Sequence, residues 1–205
     1  DYATLRPLLL PDSDDWGDAD QQLREYHRRW GDRRFRLAVA GGQYQDSRGL
    51  FFGGREASFS RQLIEAAMPD WHLQDRQVVV LDLHTGLGPF GHGELICDHP
   101  TDSPASRKAH EWFGEWVTLP EQGDSCSVPL VGLMDYLWHE AMREDGIYLT
   151  LEYGTYPFDR LLRALRRDHW LYAQPTTPDF GDPQVAAIRT ELAEIFNPQS
   201  QLWRE

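Results

Sequence analysis

The sequence has little lysine, little cysteine and no long apolar run. Lys108 is the single lysine among 20 basic residues, against 33 acidic ones, and the formal net charge is −13. Such a negative chain is repelled by phosphate backbones, so we expect no nucleic-acid partner. No apolar run approaches the roughly 20 residues of a membrane-spanning helix, and no signal peptide heads the chain. We therefore expect no membrane partner and a cytoplasmic location.

The two cysteines, Cys97 and Cys126, lack the spacing of a metal or redox motif. Free thiols in a reducing compartment are the default for such a pair. The 205 residues, 40% of them hydrophobic, can bury one sizeable core and do not have the composition of a disordered chain. We expect one folded domain or part of one; the sequence carries no signal of an oligomeric state.

The most informative segment is residues 78–88, where an apolar run leads into a histidine and a glycine-rich turn. Such a run is typical of a strand buried on both faces of a sheet. Side chains alternate along a strand, so Asp82 and His84 point the same way, towards the strand end where α/β proteins bind ligands. A carboxylate beside an imidazole can fix the tautomer of a metal-bound histidine. The alternative is a strand-end histidine that the aspartate simply satisfies.

A second strand is predicted over residues 147–153, where Tyr148, Thr150 and Glu152 share one face. A glycine turn follows, and Pro157 suits the first turn of the next helix. A carboxylate near the end of a buried strand is costly unless it is paired, hydrogen-bonded or protonated. Glu152 is therefore either a general base whose pKa is set by burial and a nearby cation, or a structural glutamate bonded to backbone amides.

Four segments resemble, in order, a bacterial branch of the zinc carboxypeptidase superfamily related to aspartoacylase and succinylglutamate desuccinylase. They are residues 42–44, 49–54, 82–88 and 151–157, and the resemblance runs from about residue 35 to the C-terminus. It implies a zinc-dependent hydrolase of peptide or acyl-amide bonds, acting on a small peptide or an N-acyl amino acid. It also implies that His84 is a zinc ligand and that Glu152 activates the attacking water. Tyr156, beside the same strand end, is predicted to contact the substrate.

The first two zinc ligands of that superfamily come from an H-x-x-E motif, and these residues contain none. The chain also opens at Asp1, in what resembles the middle of the family pattern. Residues 1–205 are therefore predicted to be the C-terminal portion of a single zinc-carboxypeptidase-like catalytic domain. Because catalytic zinc takes three protein ligands and a water, this chain alone is expected to be inactive and to bind zinc weakly.

Two alternatives stay open. His92 and Glu94 would share a strand face, and together with His84 they could complete a metal site within the chain. In function, the alternative to a hydrolase is a non-catalytic module that keeps the pocket and binds a ligand or partner without turnover.

Strands that alternate with helices predict an α/β layered fold. The resemblance to the zinc carboxypeptidase superfamily implies a mixed sheet flanked by helices on both faces. The sheet is expected to be incomplete on its N-terminal side, with one edge exposed. Residues 5–15 are predicted to form a surface arm, and residues 33–40 are ambiguous between helix and strand. Residues 41–54, rich in glycine and aromatics, suit a pocket wall. Predicted helices cover residues 19–30, 58–68, 106–116, 133–143 and 157–169. In the second of these Phe59 and Leu63 are expected to point inward, and in the last the arginines are expected on a solvated face. A final helix is capped by Asp182 and ends at Asn197.

Overall fold

The structure, a computed structural model, describes residues 1–12 and 16–204. Within them, α-helices and β-strands alternate as predicted for an α/β protein. The helices are Tyr2–Leu9 (α1), Gly17–Trp30 (α2), Asp32–Ala40 (α3), Phe59–Ala67 (α4), Pro104–Phe113 (α5), Asp135–Ala141 (α6), Phe158–Ala173 (α7), Pro183–Phe196 (α8) and Gln201–Arg204 (α9). The strands are Val79–Gly86 (β1), Gly93–Ile96 (β2), Val117–Thr118 (β3) and Ile147–Gly154 (β4). Short 3-10 turns occupy Met68–Trp71, Leu73–Asp75 and Gly114–Trp116.

The four strands form one mixed sheet in the order β1-β4-β2-β3. β1 and β4 are parallel, β2 runs antiparallel to β4, and β2 and β3 are parallel. The carboxyl ends of β1 and β4 therefore meet at the same edge of the sheet. β1 is one of the two outer strands of the described sheet and pairs only with β4, which leaves an open edge.

Helices cover both faces of the sheet, as predicted. On one face, Ala109 of α5 packs in a buried cluster with Ile147 and Leu149 of β4. On the other, Leu137 of α6 packs in a second cluster with Tyr148. Because successive residues of β4 alternate between the two clusters, one strand serves both cores.

A helical layer made by α1, α2, α3 and α7 adds a third core. It contains the buried residues Leu5, Leu9, Leu23, Phe35 and Leu162. The segment from residue 33 to residue 40, ambiguous in the sequence, is thus a helix that contributes Phe35 to this core. The cap of α8 is as predicted: the Asp182 side chain accepts from the Gln184 N–H, and Asn197 follows the last helical residue.

The predicted surface arm is wrong for the described part of residues 5–15, since α1 is a helix that buries Leu5 and Leu9; residues 13–15 lie outside the described residues. The reason lies in α7. Arg166 is only 2% exposed, and its guanidinium donates to the carbonyls of Leu8 and Leu9 and to the carboxylate of Asp20. Arg166 therefore satisfies the C-terminal carbonyls of α1 and does not belong to the predicted solvated face.

Two burial predictions are also wrong. The strand expected to be buried on both faces exposes 51% of Leu81 and 71% of Leu83, because β1 lies at the sheet edge and its outer part is uncovered in the described chain. On α4, Ser58 caps the helix as its sequence suggests. Phe59 and Leu63, however, point outward and are 80% and 59% exposed.

Candidate active site

The register of the sheet brings three side chains with catalytic potential into one row. His84 on β1 lies opposite Glu152 on β4, and Glu152 lies opposite Glu94 on β2. Cross-strand partners project to the same face of a sheet. His84 and Glu152 therefore share a face at the carboxyl edge, and His84 Nδ1 lies 3.9 Å from Glu152 Oε2.

The orientation of His84 is set by Asp82, two residues earlier on the same strand. His84 Nε2 lies 2.9 Å from Asp82 Oδ2, an ion-pair contact when the imidazole is protonated. The other ring nitrogen, Nδ1, is the one on the side of Glu152. The imidazole is 48% exposed and can be reached from solvent. The contact confirms that Asp82 and His84 point the same way, and it matches the pairing that orients histidines bound to metals.

Glu152 is buried, with 5% of its surface exposed. Its Oε1 accepts a 2.9 Å hydrogen bond from the Leu87 N–H, which the turn containing Gly86 and Gly88 delivers above the strand end. Gly88 has φ of 102°, a conformation that favours glycine. The second oxygen, Oε2, faces His84. Glu152 thus has both features that the sequence left open: one oxygen bonds a backbone amide and the other faces a histidine.

Burial is the main cause that raises the pKa of Glu152 above its ordinary value. The Leu87 hydrogen bond and the nearby His84 act in the opposite direction, and the negative charge of Glu94 adds to the rise. A carboxylate with a raised pKa is a better proton acceptor near neutral pH than an exposed glutamate. The environment of Glu152 is therefore suited to general-base chemistry.

Glu94, the third member of the row, is a buried carboxylate that is already fully engaged. Burial raises its pKa, but donors on Thr118, Ser125 and Cys126 outweigh burial, so that its pKa lies below the ordinary value. Glu94 Oε1 accepts from both hydroxyls and from the Cys126 N–H. It therefore holds the segment that contains Ser125 and Cys126 against the sheet.

The alternative metal set of His84, His92 and Glu94 is not assembled. The His92 ring stacks on Trp116, with 6.4 Å between centroids. Across residues 1–12 and 16–204, no group of three His, Cys, Asp or Glu side chains is disposed to hold a metal. His84 is thus a candidate ligand that needs partners from elsewhere.

A cavity of about 400 Å³ lies beside the turn that follows β1, at the carboxyl edge of the sheet, and its wall includes none of the three side chains of the row. Its wall comes from α3, the turn after β1, the segment held by Glu94, and the start of α7. The lining residues include Arg33, Arg36, Leu87, Gly88, Cys126, Tyr156 and Phe158. Tyr156 stands in this wall, where its hydroxyl donates to Glu194 at 2.7 Å. The structure thus places Tyr156 at the cavity, while its role in substrate binding stays a prediction.

Comparison with known proteins gives one match. The sequence model of the family described as Protein of unknown function (DUF2817) matches residues 1–205. The chain belongs to this family. No curated protein and no solved structure matches the chain. In the part of the chain that the structure describes, no helix is long and apolar enough to cross a membrane. The family description names no activity, so function is argued from the site.

In this member of the family, the glycine- and aromatic-rich segment of residues 41–54 lines a second cavity, of about 710 Å³. Tyr44, Phe52 and Gly53 are in its wall, which confirms the predicted pocket wall. The Tyr44 ring lies so close to Gly53 that a Cβ there would collide with it. A side chain at residue 53 would therefore displace the Tyr44 ring.

Sequence reasoning missed a polar cluster that lies behind the row. The Tyr148 hydroxyl donates to Asp82 Oδ2 at 2.8 Å, and the Tyr148 N–H donates to His99 Nε2 at 3.0 Å. His99 stacks on His139 with 3.6 Å between centroids, and burial lowers the pKa of these histidines to about 3 and about 4. The alternation along β4 was the available signal, since it placed Tyr148 and Glu152 on one face.

Proposed function

We propose that this protein is the catalytic part of a zinc-dependent hydrolase of peptide or acyl-amide bonds, cytoplasmic and acting on a small peptide or an N-acyl amino acid. Glu152 is the general base and His84 is a zinc ligand. The observation that carries the proposal is the 3.9 Å separation between Glu152 Oε2 and His84 Nδ1, with the other imidazole nitrogen engaged by Asp82. The resemblance of the same segments to the zinc carboxypeptidase superfamily supports these roles.

The residues fit zinc in part. An imidazole with one nitrogen bonded to a carboxylate and the other free is the usual form of a zinc-binding histidine. Catalytic zinc takes three protein ligands, and no group of three is present in the described residues. The proposal therefore requires further ligands from outside residues 1–12 and 16–204. When bound, zinc lowers the pKa of a coordinated water and polarises the scissile carbonyl.

The chain's own residues supply the proton transfer. Glu152 Oε2 accepts the proton of the attacking water, and burial, which raises the pKa of Glu152, helps it to hold that proton. The Leu87 N–H keeps Oε1 fixed, so that Oε2 stays directed at the reacting water. Glu152 then returns the proton to the leaving amine as the bond breaks.

The test is hydrolysis by protein expressed from the complete native gene and loaded with zinc. Amine release is measured across a panel of N-acetyl amino acids and dipeptides. Glu152→Gln keeps the shape and the Leu87 hydrogen bond but cannot accept a proton, so we expect a loss of about 10²-fold or more. The matched control is Glu144→Gln, an exposed glutamate before β4, which should leave the rate unchanged.

Full activity of the Glu152→Gln protein would refute the assignment of the general base. A zinc-loaded wild-type protein that hydrolyses no member of the panel but binds one of them would favour the alternative, a binding module without turnover.

A further inference from the structure

We propose that Tyr148 is a positioning residue for the candidate metal centre: its hydroxyl fixes Asp82 and, through Asp82, the tautomer and orientation of His84. The consequence for zinc rests on the proposed function, whereas the effect on the His84 imidazole does not.

The three side chains form a continuous chain of polar contacts across two strands. The Tyr148 hydroxyl donates to Asp82 Oδ2 at 2.8 Å, and the same oxygen lies 2.9 Å from His84 Nε2. One carboxylate oxygen thus accepts a hydrogen bond from a phenol on β4 and contacts an imidazole on β1. The chain runs from the interior to the solvent, since Tyr148 is 3% exposed while the His84 side chain is 48% exposed.

Asp82 needs a second donor to stay in place. Its side chain is 30% exposed, and a carboxylate on an edge strand can otherwise rotate towards water. A bond to His84 alone cannot prevent this, because the imidazole is more exposed than the carboxylate. The buried phenol is the fixed end of the chain.

Tyr148 itself is held from three directions. Its backbone N–H donates to His99 Nε2 at 3.0 Å. Its ring meets the His139 ring edge-on at 6.1 Å and lies tilted against Trp138 at 6.4 Å. Both of these rings belong to α6, so the position of α6 is transmitted to Asp82. Burial and the charge of Asp82 raise the pKa of Tyr148 far above its ordinary value, and the hydroxyl remains a donor.

The competing interpretation is a core tyrosine whose hydroxyl merely finds an acceptor. The two interpretations differ in what happens at His84 when only the hydroxyl is removed. A core role predicts a change in stability alone. A positioning role predicts a change in the His84 ring, about two side chains away.

The experiment is Tyr148→Phe, read first by ¹⁵N NMR of the His84 imidazole in the metal-free protein. We expect the wild type to hold the Nε2–H tautomer and the variant to show a mixture of tautomers. Zinc affinity of protein from the complete gene should fall about 10- to 100-fold, as for other outer partners of metal ligands. The matched control is Tyr26→Phe, which also removes a tyrosine–aspartate hydrogen bond, the 2.8 Å contact with Asp1, far from the site.

An unchanged His84 tautomer in Tyr148→Phe would overturn the positioning role, whatever the protein does with zinc. A changed tautomer in a protein that never binds zinc would support the positioning role and refute the proposed function. If Tyr148→Phe does not fold, Asp82→Asn tests the same chain. The asparagine amide can donate to Nε2, so the tautomer should move to Nδ1–H, and no change would overturn the inference.

Discussion

Asp135 at the start of α6 gives a sharp prediction about pH and stability. The residue is 4% exposed; Oδ1 accepts from the Tyr136 N–H, and Oδ2 has no hydrogen-bond donor among the described residues. Burial raises the pKa of Asp135 from 3.8 to about 7. Asp135→Asn keeps the size and the Oδ1 acceptor while removing the charge.

The direction in which pH changes the stability follows from the raised pKa of Asp135. In the folded protein Asp135 favours the protonated form, so its contribution to stability is fully present below pH 3.8 and is lost as the pH rises through about 7. Each pH unit in that window costs about 1.4 kcal/mol at most. Between pH 5.5 and pH 8.5 the wild type should therefore lose about 2 kcal/mol relative to the asparagine variant.

The assay is urea unfolding of both proteins at pH 5.5 and pH 8.5, on the alkaline side of the pI of about 5.0. The buried histidines His99 and His139 act in the opposite sense, because a lowered pKa costs stability as the pH falls. His139 Nε2 lies 3.7 Å from Asp135 Oδ2, but with its pKa lowered to about 4 it stays neutral in the folded protein over the pH range of the assay. The control is Asp102→Asn, an exposed residue. The reasoning is refuted if the stability difference between wild type and Asp135→Asn is the same at both pH values.

Two further changes test other parts of the fold. Arg166→Met should lower the free energy of unfolding in urea by about 3–5 kcal/mol, because it leaves Asp20 and two carbonyls of α1 without their buried donor. The control is Arg163→Met, on the exposed face of the same helix, which should change that free energy by no more than about 0.5 kcal/mol. Gly154→Ala should cost about 1–3 kcal/mol, because its Cβ would collide with the carbonyl of Pro89 and displace the turn above Glu152. An unperturbed thermal midpoint for Gly154→Ala would show that this turn yields easily.

Local patterns were enough to predict the parts of the site that lie on single strands. Alternation along β1 placed Asp82 beside His84, and the same rule placed Glu152 and Tyr148 on one face of β4. The start of α8 at Pro183 was also predictable, because the signal lies within three consecutive residues: Asp182 caps the helix and Pro183 is its first residue. The α/β class followed from the order of elements, whereas the mixed sheet with helices on both faces was expected from the family resemblance.

The remaining features of the site and the fold depend on contacts between segments that are distant in the sequence. Glu94 joins the row only because β2 runs antiparallel beside β4, and the sequence does not encode that register locally. Leu83 is exposed because β1 is an edge strand, although the amino-acid composition of β1 is typical of a central strand. Arg166 is buried because three acceptors in distant segments converge on it, and a helical pattern alone cannot distinguish it from the exposed Arg163.

The central claim is that His84 binds zinc while Glu152 acts on the water beside it. Metal analysis of protein from the complete gene tests it most directly, with wild type, His84→Ala and Glu152→Gln purified in parallel. We predict about one zinc per chain in the wild type and in Glu152→Gln, and a large loss in His84→Ala, since catalytic zinc depends on each of its three protein ligands. Full zinc content in His84→Ala, or an equal loss in both variants, would contradict the claim.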